Sequence, residues 1–272
     1  MWLTHQRALG RAYIEAEWIL GHLHRFIVAK GADDLDAVGF DQWCDSFRHL
    51  SATTRRGRQL AVLKLCRFRR RTEPGCFVPD PLYFVRLRPY RRPVIVEPQQ
   101  VARMLHVADQ LSPTSNSPLL PAVMRIAVIL LYTAGLRRGE LTRLTLADTE
   151  PQSALLRIRA SKFHKSRLVP LSPDVGAALR AYLHHRLAAP LGTHPSTPLL
   201  CCGQHGNHAY SGGGLGEALR RLFIAADVND QDGRRPRTHD LRHNSESRII
   251  PSAATVVFNT WRRCSSCARS GA

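Results

Sequence analysis

The chain has 272 residues, of which 44% are hydrophobic, and 39 lysines and arginines against 21 acidic residues give it a net charge of +18. This composition is typical of a globular protein of about two domains and argues against a disordered chain. No apolar run approaches the ~20 residues of a membrane span, and the N-terminus lacks a secretory signal, so we expect a cytoplasmic protein without a membrane partner. The positive charge favours a polyanionic partner, nucleic acid before membrane.

The cysteines indicate neither a disulfide framework nor a metal site. They are Cys44, Cys66, Cys76, Cys201, Cys202, Cys264 and Cys267. An odd number fits a reduced compartment. Cys264 and Cys267 have the spacing of a zinc-binding pair, but no second Cys/His pair follows them, and adjacent cysteines such as Cys201 and Cys202 point in different directions. We therefore expect no metal.

The first ninety residues read as helices. One stretch carries Ile14, Ile19, Leu20, Leu23, Phe26 and Ile27, and a second carries Phe40, Trp43, Cys44, Phe47 and Leu50. Spacings of three, four and seven residues are typical of the buried face of an amphipathic helix. The pattern predicts a small helical domain over residues 1–88, with both stripes in its core.

Residues 55–71 are strongly basic and contain no acidic residue. Their cations are Arg55, Arg56, Arg58, Lys64, Arg67, Arg69, Arg70 and Arg71, while leucines and Cys66 supply an apolar side. A helix with this division can pack on its neighbours and place guanidinium groups along DNA phosphates. The alternative is a solvated basic face without a partner.

A basic, proline-rich stretch then marks the domain boundary. Three prolines fall between residues 89 and 98, together with Tyr90, Arg91 and Arg92. Proline stops helices and stiffens the chain, so residues 89–97 are predicted to be a linker. Arg91 and Arg92 are further candidates for contact with the DNA backbone.

The sequence after the linker predicts a second domain over residues 98–243. A helix begins at Pro98 and runs to about Asp109, and another begins at Pro121 and ends near Gly135, since glycine suits a helix C-terminus. A short helix then begins at Arg137. Residues 155–160 and 167–171 resemble two strands joined by a polar turn.

Two further helices are predicted in this domain. Ser172 caps the first, whose buried stripe would comprise Val175, Leu179, Tyr182, Leu183 and Leu187. Residues 191–214 are predicted to be rich in loops, and residues 217–228 are predicted to form a helix. The fold class predicted is mainly α with a small β-hairpin or sheet, as a helical N-terminal domain followed by an α+β domain.

Three motifs of the second domain stand in a recognisable order. They are Gly135-Leu136-Arg137-Arg138-Gly139-Glu140-Leu141, then Ser161-Lys162-Phe163-His164-Lys165-Ser166-Arg167-Leu168-Val169-Pro170-Leu171, then Thr238-His239-Asp240-Leu241-Arg242-His243. Their order, spacing and apolar contexts, over about residues 97–243, resemble the catalytic domain of the tyrosine recombinase (phage integrase) family. The resemblance implies a core-binding domain that clamps double-stranded DNA together with the catalytic domain.

The resemblance also implies roles for individual residues. Arg137 and Arg242 would stabilise the charge that develops on a DNA phosphate. Lys162, or Lys165 in its place, would protonate the leaving oxygen, and His239 would handle the proton of the attacking phenol. Glu140 and His243 would support the site. Because the bond energy is conserved in a phosphotyrosine ester, no metal, ATP or other cofactor is implied.

The expected nucleophile is missing. The tyrosines are Tyr13, Tyr83, Tyr90, Tyr132, Tyr182 and Tyr210, all before His239, whereas the family's nucleophile lies roughly thirty residues after the His-x-x-Arg motif. Residues 244–272, rich in Ser, Arg and Cys, are interpreted as an aberrant, poorly ordered tail left by a frameshift or truncation; a divergent C-terminal extension is the alternative.

Three hypotheses follow. The first is a protein of DNA integration and recombination in a mobile element, defective in cleavage unless a partner lends its tyrosine, and impaired in forming the family's homo-oligomer on DNA. The second is a non-cutting remnant or regulator that occupies recombination sites. The third is a nucleic-acid-binding protein unrelated to recombination.

Overall fold

The chain divides into two compact units, residues 1–91 and 92–272. The computed structural model describes residues 2–9, 13–86, 92–150, 152–159 and 166–247, with side chains described as far as Arg242. The division falls within the stretch 89–97 that the sequence predicts to be a linker, of which Arg91 lies outside the described residues and Arg92 is exposed.

Unit 1 is helical. Its elements are α1 (Trp2–Ala8), α2 (Ile14–Ala29), α3 (Ala37–Asp45), α4 (Ala52–Arg69) and a 3₁₀ turn (Pro81–Tyr83). The Asp36 carboxylate caps α3 by accepting from the Gly39 amide at 2.6 Å, and the Ser51 hydroxyl caps α4 by accepting from the Thr54 amide at 3.2 Å. Such caps satisfy amides that have no partner inside the helix.

The core of unit 1 confirms most of the two predicted stripes. Trp43 is fully buried and Phe47 nearly so, and Ile19 and Leu23 of α2 pack in the same cluster. The prediction is wrong for Ile14, which is 72% exposed because it is the first residue of α2 and projects beyond the packed turns.

Unit 2 contains six helices and two small sheets among the described residues. The helices are α5 (Pro98–Asp109), α6 (Leu120–Thr133), α7 (Arg138–Leu141), α8 (Pro173–Ala188), α9 (Gly212–Ala225) and α10 (Thr238–Ser247). The strands are β1 (Thr149–Glu150), β2 (Leu155–Ile158), β3 (Arg167–Pro170), β4 (Cys201–Cys202) and β5 (His208–Ala209). A 3₁₀ turn (Leu146–Asp148) precedes β1.

Helix α6 is the central element of unit 2. Nine of its fourteen residues are buried, and α5, α7, α8, α9 and α10 all pack against it. Each fully buried large aliphatic side chain contributes roughly 1.5–3 kcal/mol. Helix α6 is therefore the scaffold on which the later motifs are placed.

The first sheet is an antiparallel meander in the order β1-β2-β3. Leu155 pairs with Pro170 and Ile158 with Arg167, so the connection between β2 and β3 carries the lysine motif. Lys162 and Lys165 themselves lie outside the described residues. The mainly helical fold with small antiparallel sheets is confirmed.

Two predicted features of unit 2 need correction. Helix α9 begins at Gly212 rather than near residue 217, because the Ser211 hydroxyl accepts from the Gly214 amide at 2.9 Å and starts the helix within the glycine run. The stretch 191–214, which the sequence predicts to be rich in loops, also contains the short paired strands β4 and β5. Leu187 is 51% exposed, since it lies in the last turn of α8.

Among the helices of the described ranges, none combines the length and apolar character needed to cross a membrane.

Candidate active site

Arg137 is held at the junction between α6 and α7. Gly135 adopts a positive φ of 59°, which lets the chain turn at the end of α6, and the buried Leu136 anchors the turn in the core. Arg137 is then the N-cap of α7. Its amide donates to Glu140 Oε2 at 2.9 Å and its Nη1 donates to Glu140 Oε1 at 2.8 Å.

Glu140 is the buried centre of this arrangement. Its side chain is 1% exposed, and it accepts from Arg167 as well, at 3.0 Å from Nη1 and 2.9 Å from Nη2. These hydrogen bonds raise the pKa of Arg167. One carboxylate thus fixes two guanidinium groups. Because Glu140 belongs to α7 and Arg167 is the first residue of β3, their ion pair links α7 to β3.

The sequence motifs assign no role to Arg167, although it stands within the lysine motif. Its position two residues after Lys165, in the same basic stretch of sequence, is the usable signal. The contact itself follows from burial, because the buried Glu140 carboxylate needs more donors than one partly exposed arginine supplies.

Helix α10 carries the His-x-x-Arg motif. Asp240 and Leu241 are fully buried, whereas His239 is exposed and Arg242 is partly exposed. Residues three apart share a face of a helix, so His239 and Arg242 project from the same side. Arg237 secures the start of α10, with its amide 2.9 Å and its Nη2 3.1 Å from the Asp240 carboxylate.

The motifs meet on a common support. Helices α7 and α10 both pack against α6 and α9, which places the Arg137 turn and the His-x-x-Arg helix on the same pair of helices. Helix α10 continues to Ser247, so the predicted tail begins within a helix. The side chain of His243 lies outside the described residues.

A cleft of about 470 Å³ opens beside His239. Its walls come from three helices and the segment before α10. They are formed by Arg138, Gly139, Gly216, Arg220, Phe223, Pro236, Arg237, Thr238 and His239. Four of these nine residues are arginine or histidine, so the cleft suits an anion.

Several basic residues of α4 are occupied within unit 1. Arg56 Nη1 donates to the Val85 carbonyl at 3.0 Å, Arg58 stacks on Trp18 and Phe47, and Arg71 lies over Phe68. Arg69 binds both carboxylate oxygens of Asp34, at 2.7 and 2.8 Å, and also contacts Glu73. Arg55 is half-buried, whereas Lys64, Arg67 and Arg70 are exposed.

Exposed arginines of α4 are expected to contribute to DNA binding, whereas Arg69, which is bonded within unit 1, is expected to contribute to stability. Replacing Arg67 and Arg70 with alanine is expected to reduce the salt dependence of duplex binding, by about 0.9 in the log–log slope for each phosphate that the protein no longer neutralises. Arg69→Ala is expected to lower the free energy of unfolding by less than about 1 kcal/mol, as for exposed ion pairs, and to leave the slope unchanged. Anisotropy titrations over a salt series measure the slope. An unchanged slope for the double variant would assign Arg67 and Arg70 to a solvated face.

The tyrosines described in unit 2 are used in packing. The Tyr182 hydroxyl donates to the Leu199 carbonyl at 2.6 Å, and Tyr132 is buried in α6. Tyr210 is hydrogen-bonded to Ser117, and burial raises its pKa. A phenol engaged in this way, before α9 rather than after α10, is poorly suited to attack a phosphate.

No group of three or more potential metal ligands occurs within the described part of the chain. Burial raises the pKa of Cys201 and of Cys202, which disfavours the thiolate that a metal would need. Cys264 and Cys267 lie outside the described residues.

Comparison with known proteins gives a consistent result. The model of the phage integrase family matches residues 95–256, which extends past the end that we set at His243. The y4rB integrase/recombinase of Sinorhizobium fredii is 34% identical over 67% of this chain and 58% of its own length. Three curated relatives are matched over 58%, 49% and 46% of their lengths, so the chain spans about half of each.

Solved structures show the same fold at low sequence identity. The integrase of transposon Tn1549, in complex with transposon right-end DNA, has a TM-score of 0.61 and 16% identity, covering 95% of this chain and 89% of that one. A lambda integrase dimer bound to a COC′ core site has a TM-score of 0.57 and 16% identity, covering 90% and 85%. Because the family model matches more than half of the residues, the chain belongs to the phage integrase family of tyrosine recombinases.

Proposed function

We propose that this chain binds double-stranded DNA in the integration and recombination of a mobile element, with Arg137 and Arg242 holding one backbone phosphate. The observation that carries the proposal is the cluster formed by Arg137, Arg167 and the buried Glu140 carboxylate. Two guanidinium charges, from Arg137 and Arg167, share one carboxylate, which leaves a net charge of +1 beside the motif. A preorganised cation of this kind stabilises the charge on a phosphate without a metal.

Two structural neighbours support double-stranded DNA as the partner. The Tn1549 integrase is described in complex with transposon DNA and the lambda integrase as a dimer on a core site. By the family resemblance, Lys162 or Lys165 would serve as general acid and His239 would handle a phenol proton, with Glu140 and His243 in support. Assembly into a homo-oligomer on DNA is part of the same proposal.

A second candidate is a non-cutting protein that occupies recombination sites. The observation that favours it is that the Tyr182 and Tyr210 hydroxyls of unit 2 are engaged in hydrogen bonds within the fold. In this case the phosphate site would bind DNA without a covalent step. A neighbouring subunit that supplied a tyrosine would restore cleavage, and impaired assembly would prevent it.

The phosphate site is tested by substitution of its arginines. Arg137→Ala and Arg242→Ala are each expected to weaken duplex binding about ten- to a hundredfold, as for loss of a hydrogen bond to a charged group. Arg157→Ala is the matched control, because Arg157 is a half-exposed arginine of the same unit that pairs with Glu150 at 2.8 Å. Anisotropy titration measures the affinity, and thermal unfolding checks folding. Equal affinities for the Arg137 and Arg157 variants would contradict the proposed site.

A further inference from the structure

Arg138 differs from the other cations that line the cleft beside His239. Arg220 donates to both oxygens of Glu217 at 2.8 Å, and Arg237 is bonded to Asp240. Among the residues that the structure describes, no carboxylate forms an ion pair with Arg138. Arg138 therefore brings to this cleft a charge that the described carboxylates leave uncompensated.

The Arg138 side chain packs against Gly212 and Gly216 of α9, and we call these two glycines its seat. A Cβ added to Gly216 would lie 2.5 Å from Nη1 and 3.6 Å from Cζ of Arg138, and a Cβ added to Gly212 would lie 3.7 Å from Nε. Real Cβ atoms essentially never approach another atom this closely, so an alanine at 216 would make the flexible end of the Arg138 side chain shift away from α9. Glycine inside a helix is unfavourable, so Gly216 lowers the stability of α9. The space that it leaves for the Arg138 side chain explains why a glycine stands at this position.

Arg138 is directed differently from its neighbour Arg137. The Arg137 guanidinium is bonded to Glu140, whereas that of Arg138 lies against α9, at a cleft that Thr238 and His239 also line. Two adjacent arginines held on different supports suit two different phosphates of one strand better than a single phosphate.

We infer that Arg138, seated on Gly216, binds a DNA backbone phosphate other than the one assigned to Arg137 and Arg242. A guanidinium offers two parallel N–H donors that match two phosphate oxygens. Thr238 and His239 line the same cleft, and side chains of these types can add hydrogen bonds. This inference rests on the proposed function, since it names a second contact with the same duplex.

The test compares three variants on a random-sequence duplex, which suffices because phosphate contacts carry no sequence information. Arg138→Gln removes the charge, and Gly216→Ala displaces the guanidinium while keeping the charge. Gly213→Ala is the matched control, since a Cβ there meets only the Ser211 hydroxyl oxygen, at 4.0 Å. Anisotropy over a salt series measures affinity and slope, and thermal unfolding monitors folding.

Arg138→Gln is expected to weaken binding about tenfold and to reduce the log–log salt slope by about 0.9, the value for one phosphate contact, and Gly216→Ala is expected to weaken binding by a smaller factor, because the shifted guanidinium keeps its charge. Gly216→Ala should do so without lowering the unfolding temperature, because alanine favours helix. Gly213→Ala should bind as the unsubstituted chain does.

Two results would overturn the inference alone while the unsubstituted chain binds normally. One is an unchanged slope for Arg138→Gln. The other is weaker binding for Arg138→Gln with no change for Gly216→Ala, which would show that packing of Arg138 on Gly216 does not matter for DNA binding. Failure of the unsubstituted chain to bind any duplex would overturn the proposed function together with this inference.

Discussion

Replacing Glu140 with alanine is expected to lower the free energy of unfolding by about 3 kcal/mol. The value is the lower end of the range for a broken buried ion pair, because Arg137 and Arg167 remain partly exposed, at 40% and 38%. The substitution leaves two adjacent cations without their carboxylate and frees the turn that positions Arg137. Urea denaturation followed by circular dichroism measures the change.

The matched control is Glu150→Ala. Glu150 is a surface carboxylate of β1, 41% exposed and paired with Arg157, so its removal is expected to cost less than about 1 kcal/mol. A Glu140 variant as stable as the Glu150 variant would show that the buried centre does not hold the site together. The Arg167→Ala variant, which removes only one partner, is expected to fall between the two.

A protein consisting of these 272 residues is expected to form no covalent complex with DNA. A phosphotyrosyl ester requires a phenol that reaches the bound phosphate, and no tyrosine follows His239 in the sequence. The remaining cations can stabilise charge on a phosphate, but without a nucleophile there is no step for them to accelerate. Nicked duplexes taken from the DNA that flanks the coding sequence, followed by denaturing electrophoresis, measure the adduct.

Two controls make the adduct assay decisive. An intact family member on its own substrate verifies the conditions, and a mixture of that protein with this chain tests whether a partner supplies the tyrosine. An adduct formed by this chain alone would contradict the prediction. Its absence in Tyr210→Phe would then identify the nucleophile as the phenol that is bonded to Ser117 in the free chain.

Sequence reasoning identifies the parts of the fold that local chemistry determines. Helix α5 has the predicted limits because Pro98 fits its first turn, and α6 ends near Gly135 because that residue supplies the positive φ of the turn. The placement of Arg137 at the start of α7 follows from the same turn. Helix α8 begins after the predicted Ser172 cap.

The features that the sequence does not predict depend on contacts between residues far apart in the chain. The seat of Arg138 requires Gly216, 78 positions later, and Arg167 meets Glu140 across 27 positions. The glycine run disfavours helix by propensity, so the sequence alone predicts too late a start for α9. Likewise, only the folded unit shows that Asp34 and Glu73 occupy Arg69.

A structure of the chain bound to duplex DNA tests the central claim most directly. The prediction is that guanidinium nitrogens of Arg137 and Arg242 lie within hydrogen-bonding distance of the same phosphate, about 2.7–3.2 Å from its oxygens, with His239 beside it. Guanidinium groups that contact separate phosphates on different surfaces of unit 2, or that make no contact with DNA, would contradict the proposed phosphate site.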